Sequence, residues 1–282
     1  MTSTELIASA PAIFGGILLV DFLRYFIAAS VVYLLVWHLF AKPLAGRKIL
    51  SDPPKPGQMW REFKNSMVTV VIFASFGFSI FVLYQLGLTR IYEAAETHGP
   101  LWFWASLAVI LMAHDAWFYW THRLLHRPWW FARFHSVHHQ SVHPTPWAAY
   151  SFHPVEAMIQ ALFYVGFVML VPMHPTMMFV FVSVMIVRNV AGHSAYELMP
   201  WRAASRGGLR WLLTNSHHHF HHARGRGNFG LYFTGWDRWM GTEDRAYIDN
   251  GDWRFLDGDP QSSGNQSSDQ QGSGKKTARA QV

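Results

Sequence analysis

Two runs of histidine have the residue types and spacing to do chemistry. HRLLHRPWWFARFHSVHH extends from His122 to His139 and HHHFHH from His217 to His222, in a chain with 17 histidines and no cysteine. On a helix, residues three or four apart share a face. His122 can therefore point with His126, His135 with His138 and His139, and His218 with His221 and His222. Repeated imidazoles without thiolates suit a borderline ion such as Fe, Zn or Cu better than Mg or Ca. These rings exceed the roughly four ligands that one zinc-type ion takes, so the pattern predicts two ions. Two adjacent cations on neutral nitrogens favour bound hydroxide or reduced oxygen, and the hydrolytic signature HExxH is missing. That moves the expected chemistry from hydrolysis towards oxygen activation by iron, with zinc able to enter the same sites in a preparation.

A further ligand is expected at His193, which emerges from an apolar segment in NVAGHSAYE. Glu197, four residues on, is expected on the same helical face, as a ligand or as an acceptor. Metal-bound histidines usually donate their second N–H to a carboxylate or carbonyl. Asp115, Glu156, Glu197 and Asp237 are the carboxylates near the runs, and the first three are the candidate orienting residues. His114 and His153 read as structural or as hydrogen-bond partners of ligands, and not as ligands themselves.

Positioning these residues falls to apolar helices. The chain is 51% apolar, 16% aromatic and only 14% charged, unlike a soluble globular protein. A span needs about twenty apolar residues. Candidates are Phe22–Phe40, Ser66–Leu88 and Leu101–Trp120, then two shorter segments, Val155–Val171 and Thr176–Val190, that cross or form a re-entrant hairpin. Ahead of the first lies another apolar stretch, Ile13–Val20, interfacial or the start of a long tilted helix; Asp21 and Arg24 are expected to pair at an interface. The MTSTELIASAPAIF start lacks the basic region of a signal peptide and is expected to be retained. The sequence thus predicts an all-α integral membrane bundle of about four to five spanning or re-entrant helices under a histidine-rich helical cap.

The formal charge of +6 lies mostly beside the spans, notably in Lys42, Arg47, Lys48, Lys55, Arg61 and Lys64. That is the cytoplasmic-flank pattern and not a nucleic-acid surface. It places the active site and the C-terminus in the cytoplasm, the N-terminus outside, and every histidine of the proposed site on one face. The expected organisation is N-terminal helices and a basic loop over 1–100, a catalytic domain over 101–256 and a disordered Ser, Gln and Gly-rich tail over 257–282.

HDAWFYWTHRLLHRPWWFARFHSVHHQSVHPTPWAAYSFHPVEA, NVAGHSAYE and NSHHHFHH together resemble the fatty acid hydroxylase and sterol desaturase superfamily of integral-membrane di-iron oxygenases, over about Leu101–Gly241. The resemblance implies three histidine boxes: His122 and His126; His135, His138 and His139; His218, His221 and His222. His193 matches the additional ligand between them. Some relatives carry a further histidine where this chain has Glu197. The resemblance also implies two Fe ions, O2, a hydrophobic lipid substrate (a sterol, fatty acyl chain or related lipid) and a separate electron donor of ferredoxin, cytochrome or reductase type. Hydroxylation of an unactivated C–H bond is the expected reaction, with desaturation as the alternative within the superfamily. A zinc-dependent membrane hydrolase and a metal transporter are the rivals from other classes; transport would place the ligands at mid-span.

Overall fold

The computed structural model describes residues 2–50, 52–199 and 207–244. Among these the chain is helical, with three isolated β-bridges and no strand. The predicted disordered tail, and the part of the 101–256 segment beyond 244, lie outside the described residues. Five long helices form the bundle: α1 (Ser3–Val32), α2 (Gln58–Gln85), α3 (Gly99–Leu125), α4 (Pro154–Leu170) and α5 (Pro175–Gly192). A π-helical turn, Tyr33–Leu39, prolongs α1. Two cap helices follow among the described residues, α6 (Asn215–Arg224) and α7 (Gly235–Trp239). Four helices are long and apolar enough to cross a membrane: Thr4–Leu39, Gln58–Gln85, Gly99–Leu125 and Pro175–Gly192; α4 is apolar but shorter.

Local sequence sets the helix ends. Thr2 and Glu5 close a capping box on α1, satisfying N–H groups that the first turn would otherwise leave open. His153 and His174 each precede a proline, and each ring accepts a backbone N–H, from Val155 at 3.2 Å and Thr176 at 3.1 Å. His-Pro therefore starts α4 and α5, with the N–H-lacking residue at the first helical position. The structural reading of His153 is explained by this capping role.

Asp21 and Arg24 pair as expected, and the stretch Ile13–Val20 is the start of one long helix, one of the two readings the sequence allowed. Apolar residues on both sides keep the helix going, and the paired charges face the bundle instead of ending it.

Two ends of the bundle are distinct. At one, the α4–α5 turn meets the α2–α3 connection: Arg90 N–H donates to Val168 O at 2.7 Å, and Trp102 Nε1 to Pro172 O at 3.1 Å. The α4–α5 hairpin thus reaches the same level as the longer helices. His98 and His174 both sit here, against Tyr92. At the other end lie the C-termini of α1, α3 and α5, the N-termini of α2 and α4, and the cap; Trp37 Nε1 donates to Ser194 O at 2.8 Å, and Gln58 Nε2 to His143 O at 2.8 Å. The core between the ends is aromatic and methionine-rich, with Tyr25, Phe181 and Met173 fully buried.

Candidate metal centre

Both histidine runs converge at the second end. His122 occupies the last turn of α3 and His126 caps it. The chain then turns at Pro128 and passes through a single π-helical turn, Phe131–His135, before the helical turn Ser136–His139. A π turn inserts one residue into the helical register, and here it delivers His135 and His139 to the rings on α3. From the cap, α6 brings His218, His221 and His222. Its start is fixed by a box between Thr214 and His217, and its stop by Gly225, which adopts φ 64, the left-handed conformation that glycine takes without steric cost.

The nine histidines fall into two groups whose ligand atoms lie within 4.8 Å of one another: His122, His126, His135, His139 and His221 in one, and His138, His193, His218 and His222 in the other. The partition follows helical geometry. Each i,i+4 pair, His122 with His126, His135 with His139 and His218 with His222, serves one group. The residue at i+3, His138 or His221, crosses to the other.

The nitrogens face one another at ligand spacing. His122 Nε2 is 3.1 Å from His135 Nε2, His139 Nε2 3.1 Å from His221 Nε2, His193 Nε2 2.9 Å from His218 Nε2 and 3.4 Å from His138 Nε2, and His218 Nε2 3.1 Å from His222 Nε2. Metal–nitrogen bonds of about 2.1 Å put neighbouring ligand atoms roughly 3.0 Å apart at right angles and roughly 3.4 Å apart at the tetrahedral angle. The Nδ1 atoms of three rings donate to backbone carbonyls: His122 to Phe229 O at 2.9 Å, His193 to Asn189 O at 2.7 Å and His221 to Gly227 O at 2.8 Å. A carbonyl can only accept, so each Nδ1 carries the proton and each neutral ring presents a bare Nε2 lone pair to its neighbour. Lone pairs converging in this way repel unless a cation sits among them. The residues present fit two metal ions.

Burial keeps the rings in this ligating form. Outside the apolar helices, desolvation pushes His126 down to about 2, His139 to about 3 and His193 to about 4, and holds His135, His138, His218, His221 and His222 well below the ordinary histidine range. Neighbouring imidazoles lower most of them further.

The carboxylates divide by what they touch. Glu156 Oε1 accepts from His135 Nδ1 at 2.8 Å, the contact that orients a metal-bound ring. Asp115 touches no histidine of the groups: its Oδ1 accepts the N–H groups of Tyr232 and Phe233, at 3.0 and 3.2 Å, anchoring the loop whose Phe229 carbonyl orients His122. Glu197 is displaced from its expected place. Helix α5 ends at Gly192, and Ala195 takes φ 65, a conformation costing about 1–2 kcal/mol for a non-glycine residue. That reversal removes Glu197 from the face of His193. Its carboxylate accepts from Ser216 N–H at 2.9 Å, in the first turn of α6, so it positions the helix bearing His218, His221 and His222. His114 is structural, its Nδ1 2.9 Å from Tyr232 OH.

Two positioning residues were not among the orienting residues expected from the sequence: Asp237, named only as a nearby carboxylate, and Asn189. Asp237 accepts from Phe229 N–H and Gly230 N–H, both at 2.9 Å, and so holds the loop behind His122. Asn189 accepts from His193 and also donates to Ala149 O at 2.7 Å. An amide inside an otherwise apolar segment was the available signal for Asn189.

Comparisons with known proteins cover the region that carries these histidines. Residues 107–242 match the fatty acid hydroxylase family. The chain is 31% identical over 186 residues to a Delta(7)-sterol 5(6)-desaturase of Gibberella zeae, covering 66% of this chain and 56% of that protein. It is 26% identical over 203 residues to a Delta(7)-sterol 5(6)-desaturase of Aspergillus fumigatus, covering 66% and 63%. It is 32% identical over 167 residues to lathosterol oxidase of Mus musculus, covering 58% and 54%. The match therefore spans less than two thirds of each of these relatives. No solved structure matches. With its family match spanning all three histidine motifs and its apolar helical bundle, the chain belongs to the fatty acid hydroxylase and sterol desaturase superfamily.

Proposed function

We propose that this protein is a membrane-bound, O2-dependent oxidoreductase that oxidises an unactivated C–H bond of a lipid with electrons from a separate donor protein. The observation that carries the reading is the convergence of nine imidazoles into groups of five and four. His122, His126, His135, His139 and His221 would hold one iron ion, and His138, His193, His218 and His222 the other. When bound, the two ions supply the redox chemistry that dioxygen and external electrons need to attack a C–H bond.

The chain's own residues do the rest. Glu156 and the carbonyls of Asn189, Phe229 and Gly227 fix four of the rings, His135, His193, His122 and His221, with the proton on Nδ1. Glu197, Asp115 and Asp237 hold the backbone that carries those rings and carbonyls. Phe152, whose ring lies 5.1 Å from that of His138, and the aromatic core below it give a dry apolar approach suited to a hydrophobic chain. The catalytic unit is the 101–256 segment, with the histidine end at the cytoplasmic face beside the basic loop.

Hydroxylation is the reaction we assign. Desaturation is the second reading, favoured by the names of the sterol desaturase relatives. Comparative lipid mass spectrometry of cells with and without the protein separates them. A lipid gaining one oxygen supports hydroxylation, one losing two hydrogens supports desaturation, and an unchanged lipid profile under aerobic expression with a competent donor opposes both.

A further inference from the structure

The centre does not account for the ion pair inside the bundle. Asp21 and Arg24 pair midway along the 36-residue apolar helix Thr4–Leu39, with side chains only 15% and 17% exposed. Ionisable groups at membrane depth are costly, and where they face a bundle interior they commonly mark a binding site. Here they line a cavity of about 170 Å³ together with Tyr150, Tyr164 and apolar residues such as Phe73 and Met185. Tyr150 is 4% exposed, and neither tyrosine hydroxyl makes a hydrogen bond to a described residue. An apolar cavity with a few convergent polar groups is the usual composition of a small-molecule site.

The wall of the cavity is linked to the centre through packed and hydrogen-bonded side chains. The Tyr150 ring lies 6.3 Å from that of Phe152, which in turn lies 5.1 Å from His138. Ala149, next to Tyr150, is tied through Asn189 to His193.

We propose that this cavity binds the uncharged hydroxyl end of a lipid alcohol and so sets which stretch of the lipid lies at the histidines; this rests on the lipid-oxidising reading above. The Asp21 carboxylate accepts the hydroxyl proton, while Arg24 and the tyrosine hydroxyls donate to its oxygen. Because Asp21 and Arg24 already neutralise each other, the site offers no net charge to draw in a carboxylate or phosphate. At about 170 Å³ the cavity takes the end of a lipid, leaving its apolar remainder against the helices.

The test uses the full chain in nanodiscs with three diazirine-bearing probes: a long-chain alcohol, its methyl ether and the corresponding carboxylic acid. Labelled peptides are mapped by mass spectrometry. The alcohol should label α1, α2 and α4 at the cavity with half-saturation roughly tenfold lower than the ether or the acid, the scale of one net hydrogen bond. Asp21→Asn and the double variant Tyr150→Phe, Tyr164→Phe should reduce that preference to near parity while leaving ether labelling in place. The double variant keeps both rings, so it reports even if Asp21→Asn fails to insert. Equal labelling by all three probes, labelling elsewhere, or an unchanged preference in the double variant overturns the proposal and leaves the ion pair a packing element. Labelling needs neither metal nor O2, so its failure leaves the lipid-oxidising reading intact. Turnover that survives loss of the histidines would instead defeat that reading without touching the cavity.

Discussion

The five-imidazole and four-imidazole groups draw on the same motifs but differ in surroundings. In the first, His126 and His139 are partly exposed, and His126 lines a cavity of about 840 Å³ with Arg123, Arg127 and Arg226. In the second, His138, His193, His218 and His222 are all buried. The first group has a side towards water and a cationic rim; the second is enclosed by Phe152, Asn189 and the cap. The wetter group has a fifth ring, and in both groups burial keeps the rings neutral.

If both groups act as one reaction centre, removing a ligand from either should be equally severe. His138→Ala and His221→Ala should each lower turnover by about a thousandfold or more while the chain still inserts in the membrane, and the double variant should be no worse than either alone, since residues acting as a unit are not additive. Near-normal turnover in one of them would break the comparison, marking that group as structural. A smaller change separates the groups. Glu156→Leu removes the acceptor from His135 and should weaken the five-ring ion by roughly 10–100-fold, leaving the four-ring ion in place in a chelator titration.

Acidity acts on both. A histidine buried neutral has a folded pKa below its unfolded value of about 6.5, so the unfolded chain takes up more protons once the pH falls below that value. Stability from this source is fully present above about pH 6.5 and is lost progressively on acidification towards the folded values of about 4 for His193, 3 for His139 and 2 for His126. Thermal melts from pH 7 to 5 should show Tm falling, and falling at least as steeply with metal bound as after chelation, because bound metal keeps protons off the folded rings. A flat profile would mean that the folded rings take up protons as readily as those of the unfolded chain. The smallest effect belongs to His219. It is 1% exposed, lies outside both groups, and neither of its ring nitrogens has a hydrogen-bond partner among the described residues. His219→Leu removes unsatisfied polar atoms from the interior and should leave metal content unchanged, with Tm unchanged or slightly raised.

Much of the centre was legible because imidazole spacing and helix period are the same information. The i,i+4 pairs could be read directly, as could the five apolar helices. The exchange of His138 and His221 between groups was not legible, since it depends on how α6 docks against the turn after α3. Glu197 shows the limit most plainly. Four residues after His193 would share a face only if α5 continued, and the break at Gly192 with the left-handed Ala195 is set by pairing with the basic loop, where Ile49 N–H donates to Ala195 O at 3.0 Å and Glu197 N–H to Arg47 O at 2.8 Å. Such long-range pairing leaves no periodic trace. Asp115 and Asp237 act through backbone N–H groups of one loop, a role that residue type alone does not reveal.

The most direct test of the central claim is a metal count. Protein purified from iron-replete cells under anaerobic conditions should carry two iron ions per chain, and His218→Ala should carry one, retained by the intact five-ring group. A wild-type count of one, or a variant that still binds two, would contradict the division into two metal sites.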